Sequence, residues 1–341
     1  MSELRLDPVS QRWVIIAQER DKRPDEYVAA PVQRVASDCP FCAGNEVATP
    51  EAVAVYSMGS AMPHLGQPNN WQVRVVPNKY PAVRSDLNGP VREEMFGLRC
   101  SAAGVHEVII EAPQHVASLT QVSDDQLHLA WVAYRDRLSE HALDGRWKYG
   151  QVFKNVGSAA GASIEHTHSQ LIVLPHVPHE IQSELASCEW HYSKHGRALF
   201  ADILEQELAS GVRIVDQSER FVAFCPFASR FPYEMWVLPR TPAARFQRQA
   251  NGFENNSPTD DELGELGSFV RKLLTRIETV LNRPAYNFFL HTAPFDTLPY
   301  DYYHWHVEIF PRVTKAAGFE WGTGYFINPV SPEEAAAVLR G

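Results

Sequence analysis

Hydrophobic and polar residues alternate along several short stretches of the chain, which is the pattern of half-buried β-strands. In the first half, this alternation predicts strands over 71–76, 107–110, 151–154 and 168–174. After Ser123 the apolar residues instead recur at helical spacing, and Ser123 with the three following residues resembles a helix N-terminal capping box. The first half is therefore predicted to contain an antiparallel sheet with one amphipathic helix between its strands.

The same order of elements returns in the second half. Strands are predicted over 221–226, 234–238, 286–290 and 304–311, with a helix that begins after Thr259. A repeated series of elements is typical of gene duplication. We therefore predict an α+β chain of two similar halves, each an antiparallel sheet flanked by helices. A mostly helical segment near 182–210 would join the two halves. We set the boundary near the start of this segment, so the N-terminal half is 1–185 and the C-terminal half is 186–341.

Composition narrows the classes of function. The chain has 341 residues, of which 45% are hydrophobic, and a net charge of -10, so it can bury a large core but lacks the basic surface that nucleic-acid binding requires. Charged residues interrupt the N-terminal apolar stretch, and no apolar run reaches membrane-spanning length. The five cysteines include only one close pair, which is typical of a reducing compartment. We expect a cytoplasmic protein without nucleic-acid or membrane partners.

A cluster of polar residues precedes and enters the strand predicted over 168–174. His166, His168 and Gln170 alternate, so their side chains project from one face. The loop before them is rich in glycine, alanine and serine, and its amides with the Ser163 hydroxyl could hold phosphate oxygens. We interpret His168 as a nucleophile that attacks phosphorus, although a lone strand histidine is more often structural. An amide at position 170 cannot move a proton, which favours transfer to another phosphate over hydrolysis.

The one close cysteine pair, Cys39 and Cys42, has a spacing that lets both thiolates reach the same tetrahedral metal ion. Because no second pair follows closely, the remaining ligands would be histidines, and His115 and His166 are the candidates. A redox-active dithiol is the alternative, but such a pair usually opens a helix, whereas this one follows a coil rich in proline, valine and alanine. We favour a structural zinc site.

These residues resemble the histidine-triad superfamily and, within it, the galactose-1-phosphate uridylyltransferase family. The resemblance extends over nearly the whole chain and is carried by the motifs at 6–16, 20–24, 39–42, 76–81, 106–111, 155–170, 291–295, 304–306 and 318–322. It implies two fused histidine-triad-like halves, a zinc site formed by the four residues named above, and a homodimer with active sites near the subunit interface.

The resemblance also implies a ping-pong reaction between a nucleotide sugar and a sugar 1-phosphate. His168 would attack the α-phosphorus of UDP-glucose, release glucose 1-phosphate and pass the uridylyl group to galactose 1-phosphate. Gln170 and Ser163 would assist it at the phosphates. The other substrate-binding residues would be Arg20, Arg23, Asn78, Asn155 and, in the small-residue loop, Gly161. For Arg20 and Arg23, a solvated basic turn is an equally good interpretation.

A second metal, iron or zinc, is bound in some members of the family by one glutamate and three histidines. His291, His304 and His306 fall at the histidine positions. The glutamate is either Glu180 or Glu184, and we take Glu184. The alternative is that His304 and His306 are relics of the duplication without a metal.

Several departures from the family pattern leave alternatives open. Lys79 stands where well-known transferases carry an acid near the ribose, and 322–325 lacks an expected Tyr-Glu pair. A related branch splits ADP-glucose with inorganic phosphate through the same histidine, and it shares the Ser169-Gln170 ending, so an ADP-glucose phosphorylase is the second interpretation. The alternative from another class is a zinc-stabilised nucleotide-binding module that would not need His168.

Overall fold

The computed structural model of the chain describes residues 3–16, 38–59, 70–88, 92–94, 97–249 and 256–341. In the N-terminal half, the strands are β1 (Glu3–Leu6), β2 (Trp13–Ile16), β3 (Ala54–Tyr56), β4 (Val73–Pro77), β5 (Arg92–Glu94), β6 (Gly97–Arg99), β7 (Val105–Ile110), β8 (Tyr149–Val156) and β9 (His168–Leu174). In the C-terminal half, they are β10 (Ile214–Gln217), β11 (Phe221–Phe224), β12 (Met235–Pro239), β13 (Tyr286–His291), β14 (His306–Pro311) and β15 (Phe326–Asn328).

Six α-helices accompany these strands in the described part of the chain. They are α1 (Asp124–Ala142), α2 (His179–His195), α3 (Leu199–Ser210), α4 (Asp260–Val280), α5 (Gly318–Thr323) and α6 (Pro332–Arg340). The two predicted helix starts are confirmed. Ser123 and Thr259 each accept a hydrogen bond from a backbone N–H in the first turn, and the side chains of Gln126 and Glu262 return a bond to the cap residue.

One antiparallel sheet of ten strands forms the centre of the molecule, in the order β10-β11-β12-β14-β13-β8-β9-β7-β4-β3. Each half contributes five strands, and in each half the fifth strand along the chain lies between the third and the fourth. The two sets meet where β8 pairs with β13, with Asn155 opposite Asn287. The predicted α+β class with antiparallel strands and flanking helices is confirmed. The shared strand order agrees with a duplication, whose occurrence stays a prediction.

The helices α1 and α4 cover one face of this sheet and bury the main hydrophobic core. Trp131 of α1 is completely buried. Gly267 of α4 allows the close approach of the two helices, because a Cβ atom there would lie 2.9 Å from a ring carbon of Trp131. The opposite face carries His106, His168, Gln170, His306 and Glu308, whereas Glu107 and Ser169 bond to Arg137 and Tyr134 of α1 on the covered face. In the C-terminal half, α3 also covers part of the opposite face, where Phe200 belongs to a second hydrophobic cluster with Val222 and Trp236.

The remaining elements pack around this arrangement. The strands β1, β2 and β15 form a separate small sheet in which β15 runs parallel to β2. The helix α2 crosses position 185, so the predicted boundary between the halves falls inside a helix, and the domain limits stay a prediction. No helix in the described ranges combines the length and the hydrophobicity needed to cross a bilayer.

Candidate active site

The imidazole of His168 lies at the first position of β9 and is buried. Its Nδ1 is 2.7 Å from the backbone carbonyl of His166. A carbonyl oxygen can only accept, so Nδ1 carries the proton and Nε2 keeps its lone pair. Burial lowers the pKa of His168 below its usual value of 6.5, which keeps the ring neutral. The phenyl ring of Phe41 contacts this imidazole edge-on at 5.1 Å between ring centres. The ring is therefore neutral and held in one orientation, with the lone pair of Nε2 left unprotonated.

A buried ion pair supports the backbone at His168 from the opposite face of the sheet. Lys154 of β8 forms a salt bridge with Glu111, and both side chains are fully buried. Lys154 Nζ also donates to the carbonyl of His168 at 3.0 Å and to the Thr167 hydroxyl at 2.9 Å. Burial alone would raise the pKa of Glu111, but the charge of Lys154 and its hydrogen bonds lower it, so the carboxylate stays ionised.

The side-chain amide of Gln170 lies on the same face of β9 as His168, two residues further along. Gln170 Oε1 is 2.9 Å from His106 Nε2 on the neighbouring strand β7 and 3.5 Å from Asn78 Nδ2. The structure therefore brings together two of the predicted substrate-binding residues, Gln170 and Asn78. It adds His106, to which the sequence interpretation gave no role.

The small-residue loop between β8 and β9 is held in place by the second half of the chain. Asn287 donates to Asn155 Oδ1 at 2.7 Å and to the carbonyl of Ala160 at 2.9 Å. Gly161 has a φ of 88°, which is in the left-handed region that favours glycine. Ser163 is exposed and lines a cavity of about 730 Å³ next to the zinc-ligand candidate His115. This cavity does not include His168 or Gln170 in its lining, so Ser163 faces a space beside those two residues.

The predicted zinc ligands converge. One ligand atom from each of Cys39, Cys42, His115 and His166 lies within 4.8 Å of the others. The sulfur of Cys42 is 3.3 Å from His115 Nδ1 and 3.5 Å from His166 Nδ1. A tetrahedral ion with bonds of about 2.0–2.3 Å would hold such ligands about 3.3–3.8 Å apart, so the four groups fit zinc.

The protonation states at this site also fit a metal. His166 Nε2 is 2.8 Å from the carbonyl of Ala112, so Nε2 carries the proton and the lone pair of Nδ1 faces the sulfurs. Burial and the neighbouring Cys39 raise the pKa of the Cys42 thiol to about 11. Two thiolates are stable side by side when a divalent cation binds both. The alternative of a redox-active pair, which needs a lowered thiol pKa, finds no support in these contacts.

A second group of potential ligands lies in the C-terminal half and consists of Glu184, His291, His306 and Glu308, all buried. His306 repeats the geometry of His168, because its Nδ1 is 3.0 Å from the carbonyl two residues before it. His291 Nδ1 lies 3.0 Å from Glu184 Oε1, and His306 Nε2 lies 3.5 Å from Glu308 Oε1, in both cases without hydrogen-bond geometry. These buried nitrogens face a common point, which fits a cation with nitrogen and oxygen ligands.

His304, which the sequence interpretation placed among these ligands, lies apart from them. Its Nε2 is 2.9 Å from the carbonyl of Pro239, and its Nδ1 accepts from the backbone N–H of Ala243 at 3.4 Å. Burial lowers its pKa to about 4, so the ring is neutral and both nitrogens are used. The physical reason is that β14 begins at His306, so alternation along the strand brings Glu308 to the shared face instead.

Two further predictions concern the glutamate of the second metal group and the basic turn at Arg20 and Arg23. Glu180 is exposed and pairs with Arg12, whereas Glu184 contacts His291 in the second group. Arg20 and Arg23 lie outside the described residues.

The groups that sequence reasoning missed carried only weak signals. Lys154 occupies the same alternation as the buried Val152, which marks an inward-facing charge in a strand. His106 and Glu111 belong to the family motif at 106–111, but the sequence gives no partner for either side chain. Glu308 is paired with Arg230, a residue distant in sequence.

Comparisons with known proteins agree with this geometry. Residues 1–178 match the family model described as galactose-1-phosphate uridyl transferase, N-terminal domain, and residues 100–339 match one described as a domain of unknown function, DUF4921. ADP-glucose phosphorylase of Arabidopsis thaliana is 33% identical to the chain, with 99% of this chain and 92% of the relative covered. Galactose-1-phosphate uridylyltransferase of Thermotoga maritima is 26% identical, with 100% and 98% covered.

A solved structure has the same fold. The crystal structure of an ADP-glucose phosphorylase from Arabidopsis thaliana with bound ADP-glucose matches with a TM-score of 0.83 and 31% identity, covering 100% of this chain and 99% of that one. Relatives under both names are nucleotidyltransferases. The chain is therefore a nucleotidyltransferase that belongs to the galactose-1-phosphate uridylyltransferase family.

Proposed function

We propose that the chain transfers a nucleoside monophosphate from a nucleotide sugar to a phosphate-bearing acceptor through a covalent bond to Nε2 of His168. The observation that carries this proposal is the orientation of His168, whose Nδ1 proton is held by the His166 carbonyl while Nε2 remains free to attack. A nucleotide-binding module would have no use for such an oriented nucleophile.

In the first half-reaction, Nε2 of His168 forms a bond to the α-phosphorus and the bond from phosphorus to the bridging oxygen breaks. The sugar 1-phosphate leaves with the electron pair, and because a phosphate is a stable anion it needs no strong acid. The imidazole gains positive charge, which the hydrogen bond from Nδ1 to the His166 carbonyl stabilises. In the second half-reaction, an acceptor phosphate oxygen attacks the same phosphorus, and the P–N bond breaks to regenerate neutral His168.

Gln170, Ser163 and Asn155 would assist this exchange as hydrogen-bonding groups. An amide cannot act as a general base toward water, so a phosphate oxygen, which is already ionised, is the better acceptor. The catalytic contribution of these residues is then positioning and stabilisation of charge on the phosphoryl oxygens. Asn78 lies beside Gln170 and would contact the nucleotide side of the same group.

The first candidate substrate pair is ADP-glucose with inorganic phosphate. This pair is supported by the ADP-glucose phosphorylase of Arabidopsis thaliana, whose similarity covers 99% of this chain. It is also supported by Ser169-Gln170 at the end of the histidine motif. The second candidate is UDP-glucose with galactose 1-phosphate, supported by the family model over 1–178 and by relatives with that name. Lys79 and the segment 322–325, which depart from the uridylyltransferase pattern, favour the first pair.

The metal ligands have separate roles in this proposal. Zinc held by Cys39, Cys42, His115 and His166 would be structural, because all four positions are protein ligands, and it would connect the N-terminal loop to the start of β9. A second cation, iron or zinc, would be held by Glu184, His291, His306 and Glu308. The homodimer stays a prediction.

A crossed substrate panel tests the proposal. Each donor, ADP-glucose or UDP-glucose, is incubated with inorganic phosphate and with galactose 1-phosphate, and products are separated by ion-exchange chromatography. We expect turnover with one donor and one acceptor, and none in the His168→Gly variant. Free mononucleotide released without any acceptor would indicate a hydrolase, and no turnover in any of the four combinations would contradict the proposal.

A further inference from the structure

We propose that His106 is a positioning residue that fixes the side-chain amide of Gln170 with its NH₂ group toward the transferred phosphoryl group. This inference rests on the proposed nucleotidyl transfer through His168. His106 touches Gln170 and not the reacting atoms, so it would act through that amide alone.

The proton position on His106 follows from its contact with the loop after β4. The backbone N–H of Ala82 donates to His106 Nδ1 at 3.1 Å. A backbone N–H cannot accept, so Nδ1 carries the lone pair and the proton of the neutral ring lies on Nε2. His106 Nε2 is 2.9 Å from Gln170 Oε1, and this N–H therefore donates to the amide oxygen.

A second donor acts on the same oxygen. Asn78 Nδ2 lies 3.1 Å from His106 Nε2 and 3.5 Å from Gln170 Oε1. Because His106 Nε2 carries the proton and cannot accept, Gln170 Oε1 is the acceptor for the Asn78 amide. The orientation of Asn78 is itself fixed, because the backbone N–H of Tyr80 donates to Asn78 Oδ1 at 2.9 Å. If the Gln170 amide were rotated by half a turn, its NH₂ group would face two N–H donors and both hydrogen bonds would be lost.

The consequence concerns the other end of the amide. In the described part of the chain, Gln170 Nε2 has no acceptor of its own. It lies on the face of β9 that carries His168, so its two N–H bonds are available to phosphoryl oxygens that gain charge during transfer. The opposite rotamer would present a carbonyl oxygen to these anionic oxygens and repel them. His106 thus selects the rotamer that stabilises the transition state.

A double-mutant cycle tests the inference, with the rate constant for labelling of His168 by a radioactive nucleotide sugar in a single turnover as the readout. His106→Phe removes the donor and keeps a ring. We expect it to slow labelling roughly tenfold to a hundredfold. A Gln170 amide that is no longer oriented would lose its hydrogen bond to the charged phosphoryl oxygens, and one such bond has an effect of this size. In a Gln170→Ala background, where no amide is left to orient, the same substitution should change the rate less than about threefold.

A matched variant keeps the test informative if His106→Phe folds poorly. His106→Gln retains an N–H donor near the position of ring Nε2 and should keep more of the rate than His106→Phe. Equal slowing in the two backgrounds, or equal loss in both His106 variants, would overturn the role of His106. Absence of labelling in the wild type would instead contradict the proposed function, so the two failures are distinguishable.

Discussion

Lys154, a completely buried cation, donates a hydrogen bond of 3.0 Å to the backbone carbonyl of His168. The contact links His168 to an ion pair on the far side of the sheet, where Glu111 accepts from Lys154 and from Thr167. A buried charge persists only where its partners are in place. The segment that carries His166 and enters β9 at His168 is therefore held by electrostatics as well as by strand pairing.

Removal of one partner of the Lys154–Glu111 ion pair should lower the free energy of unfolding. We expect Lys154→Met to destabilise the protein by about 3–5 kcal/mol, because it leaves the Glu111 carboxylate buried without its cation. Urea unfolding followed by circular dichroism measures this. The double variant Lys154→Met with Glu111→Gln should recover part of the loss. As a control, Lys272→Met breaks a half-exposed pair with Asp216 and should cost less than about 1 kcal/mol. A similar small cost for Lys154→Met would contradict this account.

Zinc should stabilise the fold through the N-terminal cysteine pair. Cys42→Ser should lower the zinc content by one ion per chain and destabilise the protein by roughly 4 kcal/mol or more, as the loss of a structural metal typically does. Atomic emission spectroscopy and thermal unfolding measure the two effects. Cys100→Ser changes an exposed cysteine outside the cluster and should alter neither. Unchanged zinc content in Cys42→Ser would refute the assignment.

The second metal group yields a test that separates His304 from His306. His306→Gln should lose the second metal because Nε2 of His306 faces the group. His304→Gln should retain it, because both ring nitrogens of His304 are occupied by backbone groups of Pro239 and Ala243. Metal analysis of the two variants gives the answer. Equal loss of metal in both would restore the original sequence interpretation.

The pH dependence of transfer should reflect the lowered pKa of His168. Burial disfavours the charged imidazolium, so the folded-state pKa lies below 6.5. Only the neutral ring can attack phosphorus. The single-turnover rate should therefore stay level as the pH falls through 6.5, and decline about tenfold per pH unit only below the lowered pKa. A decline with a midpoint at or above 6.5 would contradict the assigned environment.

The sequence predicted the parts of this site whose residues lie close together along the chain. The Cys39–Cys42 spacing, the alternation of His168 and Gln170, and the capped starts of α1 and α4 all depend on local geometry that the backbone imposes. His115 and His166 were candidates by their positions, and the family resemblance implied them. These predictions agree with the positions found in the structure.

The same local patterns do not predict which residues of neighbouring strands contact each other. Alternation assigns Lys154 and His106 to a face of their strands, but register decides which neighbour each one meets, and one residue of shift changes the face. His304 lies before the first residue of β14 and contacts backbone groups of Pro239 and Ala243, whereas Glu308 shares a face of the strand with His306. The tautomer of His106 depends on Ala82, a loop residue that no strand pattern predicts.

The most direct test of the central claim is the mass of the intact protein after brief incubation with donor alone. With ADP-glucose or UDP-glucose and no acceptor, wild-type protein should gain the mass of one nucleoside monophosphate, which peptide mapping locates to His168 and which disappears when the acceptor is added. The His168→Gly variant, shown to be folded and metal-loaded, should gain none. A wild-type protein that turns over nucleotide sugars without this adduct, or a variant that turns them over equally fast, would contradict covalent transfer through His168.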